Sequence, residues 1–258
     1  MPRFARLLSL ACGLALTFSP SARANFYVGH DTGTGTNNGR LTLLFSHGDH
    51  FHRIGVFGGN EGRIPEASAG GPLSLRVGTG ALAGRLVSGT YDVANDPTSE
   101  YSNLEMRSIQ TLLGFPAGSP EAILANSSGG RYLGSLSGVS LALELVSITT
   151  GLNVGTAAGV PLLSAAGDRL ALGAAASFTP FTPTFFTDPG VTSGPFAATF
   201  RLVDLNGTLG QSGTFRYEFT AQPSAVPEPA SLAMAGLGLG AVGLAARRRR
   251  RLAPAPSI

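Results

Sequence analysis

The sequence predicts a mainly β protein: one antiparallel β-sandwich or jelly-roll-like domain, flanked by an N-terminal signal helix and a C-terminal transmembrane helix. Three observations carry this. Residues 25–225 run as short apolar stretches separated by Gly, Pro, Asn, Asp and Ser, the spacing of strands joined by tight turns. In Thr214-Phe-Arg-Tyr-Glu-Phe-Thr220, Phe215, Tyr217 and Phe219 share one face while Arg216 and Glu218 share the other. Helix signals are scarce throughout this stretch.

In chain order the expected strands are Phe26–His30, Leu41–Ser46, Phe51–Phe57, Leu73–Val77, Arg131–Leu136, Val139–Thr149, Arg169–Leu172, Phe196–Asp204 and Thr214–Thr220. Gly48 supplies the bend between the second and third. Asp204-Leu-Asn206-Gly207 marks a turn between the last two. Ser119-Pro120-Glu121 before Ala122–Ala125 has a capping Ser, a first-turn Pro and an early acid, so one short helix is expected there. Met106–Leu113 reads as either helix or strand. Residues 173–195 read as loop, because Pro180, Pro183, Pro189 and Pro195 interrupt them.

The charge has to be located before it is interpreted. The formal net charge is +3, and all 18 basic residues are Arg. Residues 25–226 hold ten Arg against fourteen Asp and Glu, so this stretch is net negative and the positive excess lies at the two ends. A nucleic-acid-binding domain needs clustered basic residues on its own surface, and this one has none. No nucleic-acid partner is expected.

The first end reads as an export signal over residues 1–24. Arg3 and Arg6 precede an apolar run from Leu7 to Phe18, and Ala22-x-Ala24 suits signal peptidase, with cleavage before Asn25. Passage through the Sec translocon is implied. Cleavage there removes Cys12, the only Cys, so the mature protein is expected to have no disulfide and no thiolate ligand.

The other end, residues 226–258, opens with Pro227-Glu228-Pro229. An apolar Gly/Ala-rich run follows from Leu232 to Ala246, and then Arg247, Arg248, Arg249, Arg250 and Arg251. A helix over this run approaches the thickness of a bilayer core, and the Arg block would remain cytoplasmic. Gly238-Leu-Gly240-Ala-Val-Gly243 fits a dinucleotide-binding pattern, but it lacks the preceding strand and the later acid that such a site needs. The triplet, apolar span and Arg block, in this order, resemble the PEP-CTERM sorting signal. That resemblance implies an exosortase-type processing enzyme, transient anchoring in the inner membrane and delivery to the outer surface or extracellular matrix. Hosts of such signals are typically Gram-negative bacteria that make exopolysaccharide.

All four His fall within 23 residues: His30, His47, His50 and His52. On a strand, His50 and His52 point to one face about 7 Å apart. Two imidazoles so placed can converge on one metal at about 2.0–2.1 Å per bond. His47 lies across the bend as a third candidate ligand, and His30 is a fourth. Asp49 is a candidate either to ligate or to orient an imidazole. Nitrogen and oxygen donors without thiolate favour zinc, with Cu²⁺ and Ni²⁺ as alternatives.

The stretch Arg40-Leu-Thr-Leu-Leu-Phe-Ser-His47-Gly-Asp-His50-Phe-His52-Arg-Ile-Gly is similar to a group of PEP-CTERM proteins repressed by the zinc uptake regulator Zur. Arg63-Ile-Pro-Glu66, Ser99-Glu-Tyr-Ser-Asn-Leu104 and Asn126-Ser-Ser-Gly-Gly-Arg131 extend the resemblance. It implies expression under zinc scarcity and supports His47, His50 and His52 as zinc ligands. Glu61 and Glu66 are added as candidate carboxylates.

Known enzyme signatures are missing from the sequence: there is no His-Glu-x-x-His, no Gly-x-Ser-x-Gly and no Walker A pattern. The expectation is an exported zinc-binding protein, not an enzyme. The alternative is a structural or adhesive component of the exopolysaccharide or biofilm matrix with no metal role.

Overall fold

The computed structural model describes residues 26–64, 72–88 and 104–221. The signal segment with Ala22 and Ala24, Glu66, residues 99–103 and the tail with Pro227, Glu228, Pro229 and Arg247–Arg251 lie outside the described residues. Among the described residues, no helix is long and apolar enough to cross a membrane.

Among the described residues, fourteen strands build two sheets. The smaller contains β1 (Phe26–Asp31), β2 (Arg40–His47), β3 (His50–Ile54) and β7 (Met106–Ser108), in the order β3-β2-β1-β7. The larger contains β5 (Leu73–Val77), β6 (Leu86–Val87), β8 (Ser140–Ile148), β9 (Leu152–Gly155), β10 (Pro161–Leu163), β11 (Arg169–Ala174), β12 (Thr184–Thr187), β13 (Pro195–Asp204) and β14 (Phe215–Ala221). Its order is β10-β9-β12-β6-β5-β14-β13-β8-β11, and β4 (Gly62–Ile64) also pairs with β14. The fold is the expected mainly β sandwich.

Its pairing is less uniform than the expected antiparallel one. β1 with β7, β14 with β4 and β14 with β5 are parallel. Each of these pairs joins strands far apart in the chain, where no hairpin dictates an antiparallel return.

The alternation seen in the sequence decides how the sheets meet. Phe215, Tyr217 and Phe219 are all buried, and the Tyr217 ring lies 6.3 Å from Phe26 of the small sheet. Phe26 in turn packs 5.3 Å from Phe45. The opposite face of the small sheet is also covered. Tyr27 and Leu44 point that way and are buried. Helix α1 (Pro120–Asn126) and a 3₁₀ turn (Ile109–Leu112) pack there, contributing Leu124, Ala125, Ile109 and Leu112. Ser119 caps α1 as expected, accepting from the Ala122 N–H at 3.2 Å.

Several expectations need correction. Arg131–Leu136 is not a strand; it is a turn held to β1 by one bridge between Leu133 and His30. Gly129 and Gly130, both with positive φ, wind it. Residues 173–195 are not all loop. β12 lies inside them, and its four residues are buried on both faces, so it shows no alternation. The third strand ends at Ile54 instead of Phe57, because Gly55 takes φ +70° and a Cβ there would stand 2.5 Å from the Thr214 carbonyl.

Buried carboxylates tie neighbouring strands and turns together, Asp31 and Glu144 through Arg and Asp204 through backbone N–H groups. Asp31 accepts from Arg131 at 2.8 and 2.9 Å and from Arg53 at 3.1 Å. Glu144 of β8 stands directly opposite Arg169 of β11 and Arg201 of β13, and bonds both. Asp204 accepts from the backbone N–H groups of Ser140, Asn206, Thr208 and Leu209. Burial alone would raise each of these three pKa values. The hydrogen bonds outweigh it and hold all three below the ordinary carboxylate range.

These three acids therefore bind protons more readily in the unfolded chain. Their contribution is full above about pH 5 and is lost as pH falls through the unfolded and then the lower folded values. Urea midpoints should drop between pH 6 and pH 3; a flat profile would contradict this. Tyr217 gives a second prediction. Its hydroxyl is buried among Phe rings with no hydrogen-bond partner, and burial pushes its pKa far up. Tyr217→Phe should stabilise the fold by about 1 kcal/mol, since it removes an unsatisfied polar atom at nearly constant shape. A loss of stability in urea melts would refute it.

Candidate metal centre

The site is the tip of the β2–β3 hairpin. His47 pairs directly with His50, leaving Gly48 and Asp49 as a two-residue loop. Gly48 has φ +66° and Asp49 has no positive φ, the pattern of a type II′ turn with Gly first. Pairing continues as Ser46 with Phe51, Phe45 with His52, Leu44 with Arg53 and Leu43 with Ile54.

This register puts the three imidazoles on one face. His50 and His52 are two apart on β3, and His47 is directly across from His50. The same face carries Leu43, Phe45 and Ile54, all buried. The histidines thus continue the inward face of the hairpin past the edge of the core. Phe51, on the other face, packs edge-on against Tyr27 at 5.6 Å and pins β3 from behind. Phe45 lies 6.4 Å from the His47 ring and 6.3 Å from the His52 ring, so an aromatic floor supports the cluster.

One nitrogen from each of His47, His50 and His52 lies within 4.8 Å of the other two. His50 Nε2 and His52 Nε2 are 2.9 Å apart. Ligands of a tetrahedral zinc at about 2.05 Å stand about 3.3 Å from one another, so small side-chain rotations suffice. His47 and His50 are exposed and His52 is half-buried, which leaves the site open to solvent. Asp49 Oδ1 lies 3.0 Å from His50 Nδ1. The hydrogen bond from His50 holds the Asp49 carboxyl below its ordinary value.

His30 stands apart. It pairs with Leu41, six residues before His47 on β2, which is about 20 Å along the strand. Its Nδ1–H donates to the Ser135 carbonyl at 3.0 Å. Glu61 is exposed at the start of β4, by the Gly55 end of β3, and does not join the group. Among the described residues, His47, His50 and His52 are the one group of His, Cys, Asp and Glu converging in this way.

With this geometry in place, the comparisons add the chain's destination. Residues 225–251 match the PEP-CTERM protein-sorting motif. The match supports an exported, cell-surface-sorted protein processed by exosortase. No curated protein and no solved structure matches the chain.

Gly48 is the residue on which the convergence turns. A Cβ at Gly48 would touch nothing within 4 Å, so the cost of replacing it lies in its positive φ. Gly48→Ala should cost about 1–2 kcal/mol and weaken Zn²⁺ binding. Gly48→Asn should cost less, because Asn tolerates this conformation. Equal stability and affinity for both variants and the parent, by urea melts and metal titration, would refute the assignment.

Proposed function

We propose that this exported protein binds zinc through His47, His50 and His52 and serves in zinc capture or handling when the metal is scarce. The observation that carries the reading is the convergence of three imidazole nitrogens within 4.8 Å at a solvent-open hairpin tip. The donor set agrees with it: three neutral nitrogens without thiolate suit zinc, and Cu²⁺ less selectively. The resemblance to Zur-repressed proteins supports the same metal. The role is binding and not catalysis. Export through the Sec translocon with signal-peptidase cleavage, followed by exosortase processing, would deliver the site to the outer surface or the extracellular matrix.

A second reading is favoured by the sorting motif itself: a structural or adhesive component of the exopolysaccharide matrix, with the His hairpin incidental. Calorimetric titration of the full chain in detergent with Zn²⁺ separates the two. The zinc reading expects saturable binding that is lost in the His47/His50/His52→Ala triple variant, with unchanged far-UV circular dichroism because the histidines lie at the edge of the core. Equal affinity in the triple variant would sink the site. Polysaccharide pull-down without metal dependence, together with no transcript induction under zinc chelation, would favour the matrix reading.

A further inference from the structure

The position of Asp49 deepens the metal reading and rests on it. Asp49 is the second loop residue of the hairpin, directly before His50, and its side chain is 82% exposed. Its Oδ1 lies 3.0 Å from His50 Nδ1. An ionised carboxylate can only accept, so the proton of this bond belongs to His50 Nδ1. That assignment fixes the tautomer. With Nδ1 protonated, the lone pair of His50 sits on Nε2. Nε2 is the atom that faces His52 Nε2 at 2.9 Å, within the converging group. One hydrogen bond therefore occupies Nδ1 and puts the lone pair on Nε2, which accepts from His52 Nε2–H in the metal-free protein and turns to a cation when that proton is displaced.

The carboxylate is also poorly placed to be a ligand itself. Its Oδ1 engages the outer edge of the His50 ring, and Asp49 is not in the group whose ligand atoms lie within 4.8 Å of one another. Among the described residues, no fourth His, Cys, Asp or Glu joins the three nitrogens of that group. A tetrahedral ion would keep one position for a ligand from outside the hairpin.

We infer that Asp49 is a positioning residue that holds His50 in its metal-ready tautomer, and that the hairpin binds its cation with three imidazoles and one exchangeable position. Such a site takes metal from, and yields it to, small oxygen or nitrogen donors. A site closed by four protein ligands would exchange slowly.

Cobalt(II), whose visible absorption reports its ligand set, tests both parts in the full chain in detergent. Asp49→Ala should weaken Co²⁺ binding about 10–100-fold. Asp49→Asn should lose less, because the amide oxygen still accepts from Nδ1–H. Once saturated, both variants should show the parent's spectrum, since the ligands are unchanged. Azide should shift that spectrum in all three proteins by entering the fourth position. Parent-like affinity in Asp49→Ala would overturn the positioning role. A changed saturated spectrum and equal losses in both variants would make Asp49 a ligand and overturn it too. A spectrum indifferent to azide would overturn the exchangeable position. None of these outcomes touches the three-histidine site. By contrast, cobalt binding that persists in the His47/His50/His52→Ala variant would overturn that site and this inference with it.

Discussion

Phe26, Phe45 and Tyr217 form the seam on which the molecule is organised. Tyr217 projects from the centre of the large sheet, Phe26 from the small one, and Phe45 stands beside Phe26 on the neighbouring strand. Burying these rings fixes which face of β2 looks inward. Side chains on a strand alternate, so His47, two residues beyond Phe45, must share that face. Antiparallel pairing passes the same constraint to β3, where His52 lies opposite Phe45 and His50 opposite His47. A slip of one residue would turn the histidines to the other face and Phe51 inward. The apolar core thus sets the geometry of a polar site that it does not contain.

Charge has a different part in the fold. The basic residues are all Arg, and the buried acids Asp31 and Glu144 are met by guanidinium groups from neighbouring elements. Glu144 lies between two Arg on adjacent strands, and Asp31 joins the end of β1 to Arg131 in the turn and Arg53 on β3. The planar, always charged guanidinium satisfies both oxygens of a carboxylate in a fixed geometry, which an ammonium cannot do as well. These pairs orient strands, and their worth depends on leaving no oxygen unpaired. The site at the hairpin tip lies apart from them, so its imidazoles remain available to solvent.

Legibility in the sequence follows burial. β14 alternates between buried Phe215, Tyr217 and Phe219 and half-buried Arg216 and Glu218, and both β13 and β14 were legible almost to the residue. β12 was hidden because Phe185 packs into the main core while Phe186 packs with Leu82 and Val87 on the other side. A strand buried on both faces, with Pro on either flank, gives no period to read. β4 and β6 are two or three residues long, too short for any pattern. The turn at 131–136 misled for the opposite reason: Tyr132 and Leu136 are buried, so it has the apolar content of a strand without the backbone of one.

For the site, the sequence by itself determined a great deal: three His within six residues, a Gly able to reverse the chain between them, an Asp next to one of them, and a sorting signal in the tail. Those are local facts, and a two-residue hairpin converts them into convergence with little help from the rest of the chain. Tertiary structure decided what local spacing cannot. It left His30 about 20 Å away, because β1 pairs with β2 in a register that puts His30 at the far end. It also decided that the face shared by His47, His50 and His52 is the one continuing the buried core. The physical reason is the same in both cases. Register and side-chain direction are fixed by which rings the two sheets bury between them, and that choice is made by contacts between residues far apart in sequence.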